Sequence, residues 1–242
     1  STLVVAIDGP SGSGKSTVAR GVARTLGLRY LDTGAMYRAL TWWVIEHRVD
    51  PADESAVVTV AATFDLEIST DPMAPQVVMV SGHDVTEAIR SAEVTRAVSA
   101  VSAVTEVRRQ LVARQRTLIG IGGIAVEGRD IGTAVCPDAP VKIFLTAAAD
   151  ARAGRRAREI ETGDPAGVSV VRADLDRRDR LDSGRAASPL HQAADAVTLD
   201  STELDADQVI AAVLALVRDR TGITTSEPGA TFTLHSIGGE TR

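Results

Sequence analysis

Gly9-Pro10-Ser11-Gly12-Ser13-Gly14-Lys15-Ser16-Thr17 is the stretch that decides the fold of this chain. It fits the spacing G-x-x-x-x-G-K-[ST], with an apolar run, Leu3 to Ile7, before it and an apolar-periodic segment, Lys15 to Leu26, after it. Strand, glycine-rich loop and helix form the context in which that spacing has a physical meaning. The glycines let the backbone curl so that successive N–H groups point inward at phosphate oxygens, and the helix N-terminus adds the positive end of its dipole. In such a loop Lys15 reaches the β- and γ-phosphates of a nucleotide and the Ser16 hydroxyl ligates Mg²⁺, with Thr17 beside it. Lys15 is expected to stand exposed in the empty loop.

Outward from this loop the chain alternates between strands and helices. Gly27 suits a helix C-terminus, and Leu28 to Leu31 reads as a second strand leading into Asp32-Thr33-Gly34. Thr33 is expected to cap a helix over about Ala35 to His47, followed by a short helix from Asp53 to Ala62. Phe64 to Ile68 and Gln76 to Val80 then predict an antiparallel hairpin around Asp71-Pro72. A single long helix is expected from about Glu93 to Leu118. Further strands are expected at Ile124 to Val126, Val141 to Leu145 and Ala196 to Leu199. A charged helical segment, Asp150 to Arg180, is interrupted at Gly163 to Gly167, and an amphipathic helix covers Asp205 to Arg218. The alternation predicts an α/β fold with a five-stranded parallel sheet covered on both faces. From Gly222 to Arg242 the sequence is rich in Thr, Gly and Ser without a period and is read as a flexible tail.

Composition narrows the possible functions. The chain has 242 residues, 44% of them hydrophobic, which suffices for a full core. Its net charge of −6 argues against a general binder of nucleic acid or anionic membranes. No apolar run reaches the length of a membrane span, and the first residues lack the pattern of a signal peptide, so a cytoplasmic location is expected. Cys136, the single cysteine, excludes an internal disulfide and is read as a bystander. His47, His83, His191 and His235 show no ligand spacing. Only Lys15 and Lys142 are lysines among 26 basic residues. Arginine is therefore the default cation here, and a lysine is the more informative residue.

The phosphate loop alone identifies a nucleotide and not a reaction. A GTPase would need a base-reading Asn-Lys-x-Asp and a transporter ATPase its serine-glycine signature, and neither occurs in the sequence. Three further clusters carry charge where an α/β sheet binds ligands. Leu31 to Arg38 places Arg38 one turn into a helix, fitting either an anion site or an ordinary capped helix. Arg129-Asp130 leaves the end of a strand, as part of a ligand site or as a structural ion pair. Arg178, Asp182 and Arg185 share one helix face if the helix runs that far, and a solvated face would look the same.

Taken in order, the clusters resemble bacterial cytidylate kinase over about residues 3 to 220. The resemblance rests on the phosphate loop, Leu31 to Arg38, Gly82-His83-Asp84-Val85-Thr86-Glu87-Ala88-Ile89-Arg90, Val107-Arg108, Gly128 to Thr133, and Arg185-Ala186-Ala187-Ser188-Pro189-Leu190. It implies a P-loop kinase fold whose core spans 1–63 and 97–221, with a monophosphate-binding insert at 64–96 and a helical lid at about 152–168. It also implies transfer of the terminal phosphoryl of ATP to CMP or dCMP, with Mg²⁺, by a monomer. By resemblance the ATP site is Gly9, Pro10, Ser11, Gly12, Ser13, Gly14, Lys15, Ser16 and Thr17. Cytosine contacts fall on Ser99, Arg108 and Asp130, sugar contacts on Arg178 and Asp182, and the monophosphate on Thr33, Arg38, Arg129 and Arg185. Lys15, Arg129 and Arg185 are the implied catalytic residues, with Ser16 and Asp32 on the metal side. The family often has Gly where Ser16 stands and Asp where Glu127 stands. Arg129 is expected to keep Asp130 ionised, and the rival readings are another small P-loop kinase or a nucleotide-binding module without turnover.

Overall fold

The computed structural model describes residues 2–159 and 165–223. Five parallel strands, β1 (Val4–Asp8), β2 (Arg29–Asp32), β6 (Ile124–Gly128), β7 (Val141–Thr146) and β8 (Val197–Asp200), lie in the order β2-β6-β1-β7-β8. β1 is central, in register with β6 from Val4 opposite Ile124 to Asp8 opposite Gly128, so the phosphate loop leaves the middle of the sheet. Strand side chains alternate between faces. Val4, Ala6, Ile124 and Val126 enter the core beneath α2 (Thr33–Glu46), α4 (Ala92–Ala103) and α5 (Thr105–Ile119). Leu3, Val5, Ile7 and Ala125 enter the opposite core beneath α1 (Lys15–Leu26) and α8 (Ala206–Thr221). Both faces are thus sealed, as a parallel sheet requires.

After α3 (Glu54–Ala61) comes the insert, an antiparallel sheet of three strands rather than a hairpin: β3 (Leu66–Ile68), β4 (Val78–Val80) and β5 (His83–Asp84). Its buried Leu66, Val78 and Val80 join the same apolar cluster as Met36 and Leu40 of α2. α6 (Ala149–Glu159) and α7 (Pro165–Gly184) pair through Ala153, Val171 and Leu175. Of the break expected at Gly163 to Gly167, Gly163 and Asp164 lie outside the described residues, as does the tail beyond Ile223, whereas Pro165 to Gly167 are helical and open α7. Among the described residues no helix is long and apolar enough to cross a membrane.

Two local expectations are corrected. Asp32, not Thr33, caps α2: Asp32 Oδ1 accepts from the Ala35 N–H at 2.9 Å. Thr33 is inside the helix, and its hydroxyl donates instead to the Glu127 carbonyl on β6 at 2.7 Å. The long helix predicted from Glu93 to Leu118 is two helices, split at Val104, whose φ of −64° and ψ of 118° are extended. Val104 is buried in the core, and the turn it makes lets Arg108 of α5 donate back to the Ser102 carbonyl of α4 at 3.1 Å.

The entrance to the phosphate loop leaves no room for a side chain. Gly9 has φ +152°, and a Cβ there would stand 2.1 Å from the Leu145 carbonyl oxygen on β7. Gly9→Ala is therefore expected to push β7 from β1 and destabilise the protein by about 1–3 kcal/mol, measured by denaturant unfolding. An unchanged midpoint would show that the strand ends tolerate the displacement.

Candidate active site

The sheet's C-terminal edge collects the charged clusters into one cavity of about 320 Å³. On one wall Gly14, with φ +91°, precedes α1 without a side-chain cap bond, so the first N–H groups of α1 stay open to an anion. Lys15 is buried, contrary to expectation: its ammonium folds back and donates to the Pro10 carbonyl at 2.7 Å. Burial and the Arg129 guanidinium beside it hold the Lys15 pKa below the ordinary lysine range. The loop is pinned from α6 and α7. Arg152 donates to the Ser11 carbonyl at 3.0 Å and pairs with Asp179, and Asp179 accepts from the Ser11 N–H at 3.1 Å.

A cluster of oxygens faces α1. Ser16 Oγ donates to Glu127 Oε2 at 2.9 Å, the Tyr30 hydroxyl donates to Glu127 Oε1, and the Asp32 carboxylate is close enough to add repulsion. Burial, with Asp32 nearby, raises the Glu127 pKa. Among the described residues no group of three or more His, Cys, Asp or Glu is placed to hold a metal ion. Mg²⁺ needs no such cage, because it keeps several waters and takes one or two protein oxygens beside substrate phosphates. Hard oxygens at Ser16, Asp32 and Glu127, next to an open phosphate-binding helix start, fit that chemistry.

The other wall is built from arginines. Arg129 Nε donates to Asp182 Oδ2 at 2.9 Å, and its other nitrogens reach back to Gly9 O and Ser11 Oγ in the phosphate loop. Asp130 is held by Arg108 at 2.5 Å, with Arg185 at 3.9 Å, so its ion-pair partner is Arg108 and not Arg129, the residue expected to keep it ionised. Direction explains this: Arg129 turns toward the phosphate loop and Asp130 toward α5. Arg185 stands 3.7 Å from Asp182 and donates to the Ser188 carbonyl at 2.6 Å. Arg38 donates to Thr95 Oγ1 at 3.2 Å. Arg178 and Asp182, one turn apart on α7, face the same space, and α7 runs far enough to put Arg185 directly beyond its end. Ser99, Thr33 and Asp32 also line the cavity, so every site residue expected outside the phosphate loop is gathered there, together with the buried Glu127.

Several buried donors in this wall lack partners: Arg108 Nε, Arg178 Nε, Arg185 Nη2 and the Tyr37 hydroxyl make no hydrogen bond. Burial lowers the pKa of Arg38 and Arg185, and lowers that of Arg178 to about 10 with help from Arg38 and Arg129. Crowded, partly unsatisfied guanidinium groups lining one cavity call for an anion. Sequence reasoning missed Tyr37 and Arg90, which line the cavity, although both sit inside segments it singled out. Arg108 also lies over the Tyr37 ring at 5.1 Å.

A phosphate loop facing a second anion pocket defines a P-loop phosphotransferase with a small acceptor. A family model described as cytidylate kinase matches residues 5–219. The cytidylate kinase of Streptomyces griseus subsp. griseus is 51% identical over 222 residues, covering 91% of this chain and 94% of that protein. That of Rhodococcus opacus is 53% identical over 225 residues, covering 92% and 98%. Among solved structures, an uncharacterized protein from Eubacterium ventriosum aligns with a TM-score of 0.51 at 12% identity over 91% of this chain and 100% of that one, a likeness of fold alone. The chain belongs to the cytidylate kinase family, and its activity is that of a cytidylate kinase, an ATP-dependent phosphotransferase acting on a nucleoside monophosphate.

The Arg108–Asp130 pair is nearly inaccessible, with side chains 4% and 5% exposed. Arg108→Met, which strands the buried carboxylate, is expected to cost about 3–5 kcal/mol. The double variant Arg108→Met/Asp130→Leu should recover most of that loss in the same denaturation experiment. Equal destabilisation by both variants would mean that the pair is not electrostatically coupled.

Proposed function

We propose that this protein transfers the γ-phosphoryl group of ATP to CMP or dCMP, with the acceptor in the arginine-walled cavity and ATP on the phosphate loop. The observation that carries this reading is the buried Arg108–Asp130 pair, set at the end of a cavity whose other arginines stand opposite the open N-terminus of α1. Cytosine carries an exocyclic amine that donates to a carboxylate, and a ring carbonyl that accepts from a guanidinium. Uracil presents a carbonyl oxygen where cytosine has its amine, so Asp130 repels it. Ser99 adds a hydroxyl to the lining of the same cavity. Arg178 and Asp182 are the candidate sugar contacts, and Thr33, Arg38, Arg129 and Arg185 the candidate monophosphate contacts, joined by Arg90.

The chemistry asks little covalent work of the protein. Two polyanions must be brought into line, their repulsion screened and water excluded. Gly9 to Gly14 would cradle the ATP phosphates, with Ser16 and Thr17 opening α1. Lys15 is one hydrogen bond from its working position, since the Pro10 carbonyl it now satisfies is part of the same loop. Arg129 already touches the phosphate loop and the acceptor wall together, which suits it to the phosphoryl group in transit. Ser16, with Glu127 orienting its hydroxyl and Asp32 alongside, would hold Mg²⁺, which neutralises charge on the bridging phosphate oxygens. Closure of the segment at about 152–168 and of the insert at 64–96 would keep out water, a competing acceptor.

ADP formation from ATP and Mg²⁺ across a panel of nucleoside monophosphates tests the reading. CMP and dCMP should turn over at least tenfold better than UMP or AMP, and a preference for another acceptor would sink the assignment. Asp130→Asn, whose amide can rotate to offer a donor, should cut kcat/KM for CMP by about 10- to 100-fold and narrow the CMP to UMP ratio. Equal loss on both acceptors would leave Asp130 a structural role only.

A further inference from the structure

Asp8, the last residue of β1, is a buried carboxylate that none of the roles above uses. Its two oxygens are fully engaged. Oδ1 accepts from the Ile131 N–H and Oδ2 from the Gly132 N–H, each at 2.8 Å. Those two N–H groups open the turn Ile131–Val135, immediately after Arg129 and Asp130. Asp8 is also bonded in sequence to Gly9, whose carbonyl receives Arg129. One carboxylate therefore ties the start of the phosphate loop to the residues that hold Arg129 and Asp130 over the acceptor cavity.

The fit is close. A Cβ on Gly132 would stand 3.4 Å from Asp8 Oδ2 and 3.1 Å from Lys142 Cδ, so the turn lies against both the carboxylate and the Lys142 stem. A carboxylate gives each of the two neighbouring N–H groups an oxygen of its own. An amide offers one acceptor and sets an NH₂ against the other N–H. We propose that Asp8 is a positioning residue that fixes the Arg129–Asp130 turn against the phosphate loop and so sets acceptor affinity and base choice. This rests on the reading of Asp130 as the residue that meets cytosine.

The groups that face Asp8 are Lys15 from α1, Asp130 from the turn and the Lys142 stem from β7, whose ammonium is turned away to Asp195. Burial, reinforced by Asp130 and opposed by the two backbone bonds and Lys15, raises the Asp8 pKa to about 6. At neutral pH Asp8 is ionised and accepts twice. Once protonated it resembles an amide, with one oxygen still accepting and the other carrying a proton.

The test is steady-state kinetics on the full chain for Asp8→Asn and Gly132→Ala, the second displacing the turn without changing charge. Asp8→Asn should raise KM for CMP about tenfold or more, leave KM for ATP within twofold and narrow the CMP to UMP ratio, and Gly132→Ala should shift the ratio the same way. The ratio of wild-type to Asp8→Asn kcat/KM for CMP, in which the acceptor's own titration cancels, should fall toward one as pH drops through about 6. A role in stability alone predicts a lower Tm with both substrates affected in proportion and a ratio that is flat with pH, and that result overturns the proposal. If Asp8→Asn does not fold, Gly132→Ala decides it, and an unchanged ratio there counts against it. Asp130→Asn measured alongside separates the two claims. If it narrows the ratio and the other variants do not, the positioning role alone is lost, whereas an unchanged ratio in Asp130→Asn removes both.

Discussion

Keeping several guanidinium groups close together and away from water is the constraint on which this site depends. Arg108, Arg129, Arg178 and Arg185 line one small cavity, where burial and then the neighbouring cations lower the proton affinity of Arg178 and Arg185. Such a wall stands only if anions are interleaved with it. Asp130 takes Arg108, and Asp182 takes Arg129 and the flank of Arg185. The compensation is incomplete: Arg108 Nε, Arg178 Nε and Arg185 Nη2 are buried without a hydrogen bond. A substrate phosphate would complete the set, so affinity for the acceptor and stability of the wall come from the same interaction.

The sheet makes this possible by where it ends. β1 and β6 run side by side in the middle, and their C-terminal residues lead into the phosphate loop and the Arg129–Asp130 turn. The two proposed substrate sites therefore start from adjacent parallel strands, with Gly9 close against β7 and Asp8 clasping the neighbouring turn. Neither contact lies in a long loop, which suits a reaction that depends on holding two anions in line. The parts proposed to close over them are α6 with α7, joined by their own small apolar cluster, and the separate three-stranded antiparallel sheet.

Much of this was legible in the sequence for local reasons. α1 was read to its observed bounds because glycines in left-handed conformations stand at both ends, Gly14 and Gly27. The strands were legible as β-branched runs between turn signals. What the sequence hid was set by distant partners. Asp32 and Thr33 are both good caps, and only the Glu127 carbonyl across the sheet decides which one turns toward the helix. Val104 breaks a helix with neither Gly nor Pro, because core packing and the Arg108 bond to Ser102 stabilise the bend. Lys142, conspicuous as a lysine, is not a phosphate ligand: it packs under Gly132 and pairs with Asp195. The side chain that holds Asp130 lies 22 residues away on another helix, beyond the reach of any local pattern.

The central claim is that the arginine-walled cavity binds the acceptor with its base against Asp130. A crystal structure of the protein with CMP tests it most directly. The account predicts the cytosine amine within hydrogen-bond distance of the Asp130 carboxylate, Arg108 beside the ring, and the phosphate among Arg38, Arg129 and Arg185. A base bound away from Asp130, or a monophosphate seated on the phosphate loop with that cavity empty, would contradict it.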